Sequence, residues 1–191
     1  MKLRIISGSL KGRFVTIPER AGTFRPTRER IRGSVADILS PYIPGATVAD
    51  VCAGSGAFGF EMASRGACQV FLVENDCHRG KLIAQHAERF GIARMCHCVI
   101  QDVKWFIRNC RNQFDIMYFD PPYDVLQLSD MIGDLLSLLS ESGILVHELR
   151  NTKKTGAVDA AVKDDRLFSR RFYGETEIRL FRRKTIAPSI E

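Results

Sequence analysis

Apolar strands alternate with amphipathic helices through most of the chain. Between residues 45 and 150, short runs of branched and aromatic residues are separated by segments whose apolar residues recur at helical spacing. The pattern predicts strands near 47–52, 69–74, 95–100, 114–119 and 143–148, and helices near 57–65, 78–90, 102–111 and 128–139. Because this alternation is typical of a parallel sheet covered on both faces, we predict a doubly wound, Rossmann-like α/β fold with a mostly parallel sheet.

A different pattern precedes this body. Residues 3–6 and 13–17 predict a small β-hairpin, and apolar residues at helical spacing predict a helix from Thr27 to about Ser40. Pro41 and Pro44 then end the helix.

The pattern also changes after the body. A helix-like stretch ends near Val162, and residues 167–173 and 176–181 predict an antiparallel hairpin at the sheet edge. We therefore expect three parts: an N-terminal hairpin and helix at 1–44, a body at 45–183 and a tail at 184–191.

Basic residues concentrate at the two ends. The 191-residue chain has a net charge of +6, yet residues 1–32 carry nine basic and two acidic residues, and residues 166–191 carry seven and three. Residues 33–165 hold 12 basic and 17 acidic residues. Basic arms on an acidic body favour a polyanion such as RNA, although a solvated face would show the same run of charge. The candidate RNA contacts include Arg4, Lys11, Arg13, Arg25 and Arg28.

Composition narrows the class of protein further. No uncharged apolar run approaches the roughly 18 residues of a membrane span, which excludes a transmembrane protein, and no leader pattern opens the chain, so we expect a cytoplasmic protein. Six cysteines form no Cys-x-x-Cys pair. We therefore expect reduced thiols and no metal.

A glycine loop follows the first strand of the body. Asp50-Val-Cys-Ala-Gly-Ser-Gly-Ala-Phe-Gly59 lies at a predicted helix start, and Glu74 ends the next strand. Glycines in such a loop let a ligand approach the backbone closely. A carboxylate about 20 residues further along the chain can accept hydrogen bonds from the hydroxyl groups of a ribose. Asp50 would repel a pyrophosphate but attract a sulfonium, which favours S-adenosylmethionine over NAD. Asp102 could accept a hydrogen bond from the adenine amine or cap a helix.

A second motif ends the fourth strand, where an open α/β sheet gathers its ligands. In Asp120-Pro-Pro-Tyr123, the Asp120 carboxylate and the Pro121 carbonyl can accept the two hydrogens of an amine, and Tyr123 offers a flat face to a base. Such acceptors favour methylation of the exocyclic amine of an unpaired or flipped nucleobase.

These motifs resemble the RsmD family of 16S rRNA guanine-N2 methyltransferases. The resemblance rests on the two motifs above and on three further segments: Arg4-Ile-Ile-Ser-Gly-Ser-Leu-Lys-Gly-Arg13, Arg25-Pro-Thr-Arg-Glu-Arg-Ile-Arg32 and Tyr173-Gly-Glu-Thr176. It covers nearly the whole chain.

The resemblance implies a monomer that methylates guanine 966 (standard rRNA numbering) of the small ribosomal subunit. The residues implied for the donor pocket are Asp50, Ala53, Gly54, Gly56, Glu74 and Asp102, and those implied for the guanine are Asp120, Pro121 and Tyr123. Arg25 and Thr27 are expected near its rim.

Three residues depart from the family pattern. Cys52 replaces a usual Phe, Gly33 a usual acid and His86 a common Asn. We interpret His86 as a hydrogen-bonded histidine on a helix surface.

Two other functions stay open at this point. One is an adenine-N6 methyltransferase of DNA, which would use the same tetrad. The other is a non-catalytic factor for small-subunit assembly.

Overall fold

The computed structural model describes residues 2–16, 27–121, 131–150 and 164–183, with only the backbone of Thr27 and Arg28. Two short strands are followed by a helix and a 3-10 turn at Ser40–Tyr42, and then by alternating strands and helices. The strands are β1 (Lys2–Arg4), β2 (Phe14–Thr16), β3 (Thr47–Val51), β4 (Gln69–Glu74), β5 (Cys96–Ile100), β6 (Phe114–Phe119), β7 (Leu139–Arg150), β8 (Leu167–Tyr173) and β9 (Thr176–Arg182). The helices are α1 (Thr27–Ile38), α2 (Ala57–Ser64), α3 (Cys77–Phe90), α4 (Val103–Asn109) and α5 (Ile132–Ser137).

Seven strands form the central sheet in the order β5-β4-β3-β6-β7-β9-β8. The five from β5 to β7 run parallel, whereas β9 runs antiparallel to both β7 and β8. The predicted fold class, a mostly parallel α/β sheet with an antiparallel C-terminal hairpin, is confirmed.

Two predicted segments next to the last parallel strand differ from the structure. The last parallel strand, expected at 143–148, spans Leu139–Arg150, and the polar residues Ser140, Glu141 and Ser142 follow its first residue. The helix expected at 128–139 is described only as α5, which ends at Ser137 because the chain then enters β7. The helix-like stretch before Val162 and the tail at 184–191 lie outside the described residues.

Alternation along the strands buries an apolar layer on each face of the sheet. On one face Val48, Leu72, Ile116 and Val146 join the core that α1, α2 and α3 cover. On the other, Ala49, Met117 and Leu145 pack with residues of α4 and α5. The two layers fix the strands in register, so the side chains at their carboxyl ends have defined neighbours.

The N-terminal hairpin packs against the body through its own buried side chains. Leu3, Ile5, Leu10 and Val15 belong to the same core as the α2 side of the sheet. The Glu61 carboxylate on α2 accepts hydrogen bonds from the backbone N–H groups of Ile6 (2.7 Å) and Ser7 (3.0 Å). The hairpin is therefore held by both apolar burial and a buried acceptor.

Gly8 makes the closest approach of the hairpin to α2. Its φ is +80°, and a Cβ at this position would lie 1.8 Å from the carbonyl oxygen of Ser64. Ser9 donates its backbone N–H to that same oxygen at 2.8 Å. No residue with a side chain fits here without moving one of the two backbones.

The expectation of a surface position for His86 was wrong, although its ring is hydrogen-bonded as expected. The residue is 5% exposed because the hairpin covers it. Nε2 accepts the backbone N–H of Thr16 at 2.8 Å, so Nδ1 carries the proton and donates to the Leu82 carbonyl at 2.6 Å. Burial lowers the pKa of His86, which favours this neutral form.

Candidate functional site

Four predicted carboxylates lie where neighbouring parallel strands end. Asp50 is the penultimate residue of β3, Glu74 ends β4, Asp102 follows β5 and Asp120 follows β6. Since β5, β4, β3 and β6 are adjacent and parallel, these residues share one edge of the sheet.

Backbone hydrogen bonds join the glycine loop to β4 and join Asp120-Pro121, which we call the Asp-Pro corner, to β3. Ala53 donates its N–H to the Val73 carbonyl at 2.9 Å, and Asp120 donates its N–H to the Val51 carbonyl at 3.4 Å. The two predicted motifs are thus next to each other.

Cys52 lies between the carboxylates. Its backbone is in the left-handed region, with a φ of 64°, which is unusual for a residue with a side chain. Burial raises the pKa of its thiol to about 12, and the charges of Glu74, Asp120 and Asp50 contribute to that rise. Cys52 is therefore a neutral thiol in a negatively charged surrounding, and a bound cation would find that surrounding favourable.

Two of the carboxylates also hold the glycine loop in place. Asp50 Oδ2 accepts the backbone N–H of Gly59 at 2.9 Å, and Glu74 Oε2 accepts that of Gly54 at 2.8 Å. Gly54 has a φ of +57°, and a Cβ there would meet only the Cys52 carbonyl oxygen, at 3.9 Å. The loop thus presents open backbone on the side of Gly54, while Gly56 packs against the core as the N-cap of α2.

Asp50 has the most perturbed carboxylate of this edge. It is 2% exposed, and burial raises its pKa from 3.8 to about 7. The Gly59 N–H and the positive charge of Arg32 lower that pKa, whereas the charge of Glu74 raises it. A nearby cation would favour the ionised form of Asp50.

Glu74 and Asp102 differ in their surroundings. Glu74 is buried, and its Oε1 accepts the backbone N–H of Asp76 at 2.9 Å and pairs with Arg79 Nη2 at 2.9 Å. Asp102 is exposed and caps α4 by accepting the N–H of Trp105 at 2.8 Å. The structure thus shows the helix cap that was the alternative for Asp102, and its contact to the adenine stays a prediction.

Asp120 is half-buried and Pro121 is buried at the end of β6. The two strand residues before them are held by ring contacts. Tyr118 stacks on Phe58 with ring centroids 3.9 Å apart, and Phe119 stacks on His147 at 5.3 Å. Tyr123 lies outside the described residues, so its aromatic face stays a prediction.

Sequence reasoning missed three residues that lie behind this corner. The Tyr118 hydroxyl donates a hydrogen bond to Glu148 Oε2, and both residues are buried. Arg32, 6% exposed, donates from Nη2 to the Arg4 carbonyl at 2.6 Å. Of the three, Glu148 had a signal in the sequence. It is a charged residue on the same strand face as Val146, at a position where the alternation of the strand predicts an apolar residue.

The basic residues predicted to contact RNA lie partly within the described region. Arg4, Lys11 and Arg13 are exposed on the hairpin, and the Arg13 guanidinium lies 5.7 Å from the centroid of the Phe90 ring. Arg25 lies outside the described residues, and the side chains of Thr27 and Arg28 are not described.

The part of the chain that the structure describes contains no group of three or more His, Cys, Asp or Glu residues able to hold a metal ion. Across the same ranges, no helix combines the length and the apolar character that crossing a membrane requires.

Comparison with known proteins identifies relatives along most of the chain. The family described as "Conserved hypothetical protein 95" matches residues 3–182. Ribosomal RNA small subunit methyltransferase D of Escherichia coli K12 is 30% identical over 149 residues, which cover 77% of this chain and 71% of that protein.

Two solved structures are similar to nearly the whole of this chain. "Putative methyltransferase yhhF" of Escherichia coli is 26% identical with a TM-score of 0.80 and covers 97% of this chain and 100% of its own. A hypothetical protein of Thermus thermophilus is 27% identical with a TM-score of 0.77 and covers 94% and 99%. The chain belongs to this family, the RsmD family of S-adenosylmethionine-dependent methyltransferases.

Proposed function

We propose that this chain transfers a methyl group from S-adenosylmethionine to the exocyclic N2 amine of a guanine in 16S rRNA of the small ribosomal subunit. The observation that carries the proposal is the meeting of Asp50, Glu74 and Asp120 at one sheet edge, around the open backbone of Gly54. The name of the Escherichia coli relative supports the choice of small-subunit rRNA.

The residues at this edge fit a cationic adenosine derivative. Asp50 is buried, and its pKa is raised to about 7 because burial disfavours the ionised carboxylate. A positively charged ligand would stabilise the ionised form, whereas an anionic ligand would destabilise it further. Glu74 lies 20 residues after Gly54, as a ribose-binding carboxylate does, and Asp102 lies beyond the next strand for the adenine. Ala53 and Gly56 complete the proposed donor pocket. S-adenosylmethionine bound there supplies a methyl group on a positively charged sulfur.

The Asp-Pro corner would orient the amine. The Asp120 carboxylate and the Pro121 carbonyl each accept one N–H of the amine, which directs the nitrogen lone pair away from the purine ring and toward the donor pocket. Tyr123 would hold the face of the base. As the nitrogen bonds the methyl carbon, the carbon–sulfur bond breaks and its electron pair stays on the sulfur of the departing S-adenosylhomocysteine. The nitrogen becomes positively charged, and Asp120 stabilises that charge until a proton leaves to the carboxylate or to water.

The N-terminal hairpin and helix, residues 1–44, would serve as the RNA-binding arm of a methyltransferase body at 45–183. Arg4, Lys11 and Arg13 expose their charges on one small hairpin, where they can neutralise phosphates. Arg25, Thr27 and Arg28 are further proposed contacts to the RNA. We propose a monomer that works in the cytoplasm, where small subunits assemble.

The test supplies labelled S-adenosylmethionine with naked 16S rRNA, with small subunits lacking the modification, or with duplex DNA, and then identifies the labelled base. We expect N2-methylguanine from the subunit particle, and Asp120→Ala protein as the matched control should give none. Label in DNA adenine would contradict an rRNA substrate and identify DNA as the substrate. Absence of label in every substrate would favour an assembly factor without turnover.

A further inference from the structure

Helix α4 carries the only tryptophan of the chain on its exposed side. The helix packs against the sheet through Val103 and Phe106, which belong to the core on that face. Trp105 lies in the first turn, on the opposite side of the helix, and is 44% exposed. The indole ring, which makes up most of this residue, is therefore accessible from solvent.

Three basic residues accompany the tryptophan. Arg108 lies three residues after Trp105 and four after Lys104, so these side chains are neighbours on one side of the helix. Arg111 follows the end of the helix, and all three basic residues are exposed. Across the ranges that the structure describes, no ion pair or hydrogen bond engages their side chains. We call Lys104, Trp105, Arg108 and Arg111 the α4 surface.

The charge of this segment contrasts with that of the body around it. Residues 33–165 hold 12 basic and 17 acidic residues. The stretch 103–113 contains three of those basic residues and none of the acidic ones. Asp102, just before it, caps the helix by accepting the Trp105 N–H. The α4 surface is therefore a local positive area on an acidic body, which favours an anionic partner.

The fold places the α4 surface near the candidate site. Helix α4 begins soon after the end of β5, at the sheet edge where Asp120 follows β6. Three strand spacings separate β5 from β6, which amounts to roughly 14 Å. A single strand of nucleic acid with stacked bases covers this distance in about four nucleotides. The N-terminal hairpin packs on the other face of the sheet, so it cannot supply contacts on this side.

The α4 surface suits single-stranded RNA better than it suits an acidic protein. Each unpaired base has a flat face that can stack on an indole ring, while Lys and Arg neutralise the phosphates beside it. A protein partner would need a continuous apolar area. The apolar residues that follow Trp105 do not provide one, because Phe106 is buried and Ile107 is half-buried.

We propose that the α4 surface binds an unpaired stretch of the substrate RNA, with a base stacked on Trp105 and phosphates on Lys104 and Arg108. The choice of RNA rests on the proposed function. The nucleotides bound here do not react, so the contacts are equal in the ground state and the transition state. They therefore strengthen binding and leave the chemical step unchanged.

The fluorescence of the single tryptophan reports this contact directly. The full chain, without S-adenosylmethionine, is titrated with an oligo(A) of about ten nucleotides, and we expect stacking to quench the emission. Affinities of the variants come from the anisotropy of labelled oligo(A). Trp105→Ala should weaken binding about 5–100-fold, and Trp105→Phe, which keeps a flat ring, should weaken it less. In transfer to small subunits, Trp105→Ala should raise KM with little change in kcat.

A pair of double variants separates the α4 surface from general charge attraction. Lys104→Gln with Arg108→Gln should weaken oligo(A) binding and reduce the slope of log affinity against log salt by about 1.4. Lys81→Gln with Arg94→Gln removes the same charge at exposed positions outside the α4 surface. This control should leave the affinity and the slope close to those of the wild type.

The outcomes separate this inference from the proposed function. Emission that oligo(A) leaves unchanged, or equal losses in the two double variants, would overturn the inference alone. Tighter binding of poly-glutamate than of oligo(A) would also overturn it and assign the α4 surface to an acidic protein. Absence of transfer by a wild type whose emission is quenched would instead reject the proposed function.

Discussion

Replacing Asp50 by Asn tests the electrostatics of the proposed donor pocket in the protein without ligand. Asp50 is buried and its pKa is raised from 3.8 to about 7. Asn keeps an oxygen that can accept the Gly59 N–H, which Asp50 accepts at 2.9 Å. The substitution therefore removes a buried charge with little change in shape or hydrogen bonding.

The sign and the size of the effect follow from linkage. Between pH 3.8 and about 7 the folded protein holds a proton on Asp50 that the unfolded chain releases. The contribution of Asp50 is thus fully present below pH 3.8, declines as the pH rises, and is lost above about pH 7. A pKa difference of about 3, at about 1.36 kcal/mol for each unit, gives a destabilisation of about 4 kcal/mol.

The assay is urea unfolding of the wild type and Asp50→Asn between about pH 4.5 and 8.5. We expect Asp50→Asn to gain in free energy of unfolding relative to the wild type as the pH rises, by up to about 4 kcal/mol at about pH 8. Asp134→Asn, at an exposed position of α5, has the same change in net charge and should show no such trend. S-adenosylmethionine should then stabilise the wild type and not Asp50→Asn. Parallel curves for the two proteins, or a less stable Asp50→Asn at the alkaline end, would contradict a destabilising buried charge at Asp50.

Three further predictions concern the corner, the hairpin and the basic arm. Asp120→Ala should abolish transfer while S-adenosylhomocysteine binding, measured by calorimetry, stays within about tenfold of the wild type; a collapse of that binding would place Asp120 in the donor pocket instead. Gly8→Ala should lower the free energy of unfolding by about 3 kcal/mol or more, because its Cβ would lie 1.8 Å from a backbone oxygen. Gly174→Ala, with a φ of +61° and open space around it, should lose only about 1–2 kcal/mol, and equal losses would contradict the docking of the hairpin. Replacing Lys11 and Arg13 together by Gln should weaken rRNA binding and reduce its salt dependence by about two counterions, with a melting temperature lowered only slightly by loss of the contact between Arg13 and the Phe90 ring; unchanged rRNA affinity would assign RNA binding to another surface.

The sequence predicted the body of the fold because its strands are buried on both faces and its helices have one apolar side. β4 and β6 were predicted at their observed bounds, since apolar runs there are closed by charged residues. β7 was predicted too short because Ser140, Glu141 and Ser142 break the apolar run, although Leu139 pairs with Phe114 at the start of the strand. Backbone pairing extends a strand beyond the part that its side chains identify.

The candidate site was also predictable only in part. Asp50, Glu74, Asp102 and Asp120 were predictable because each lies at or near a strand end, where the fold brings ligands. Their supporting contacts were not, because these join residues distant in sequence. Arg32, for example, bonds a carbonyl in β1 that lies 28 residues away. No local pattern identifies such a partner.

The most direct test of the central claim is a crystal structure of the protein with S-adenosylhomocysteine. We expect the adenosine against Gly54 and Glu74, with the sulfur directed toward Asp120 and space for a purine between them. Ligand sulfur on the other face of the sheet from Asp120, or a closed corner with no space for a base, would contradict it.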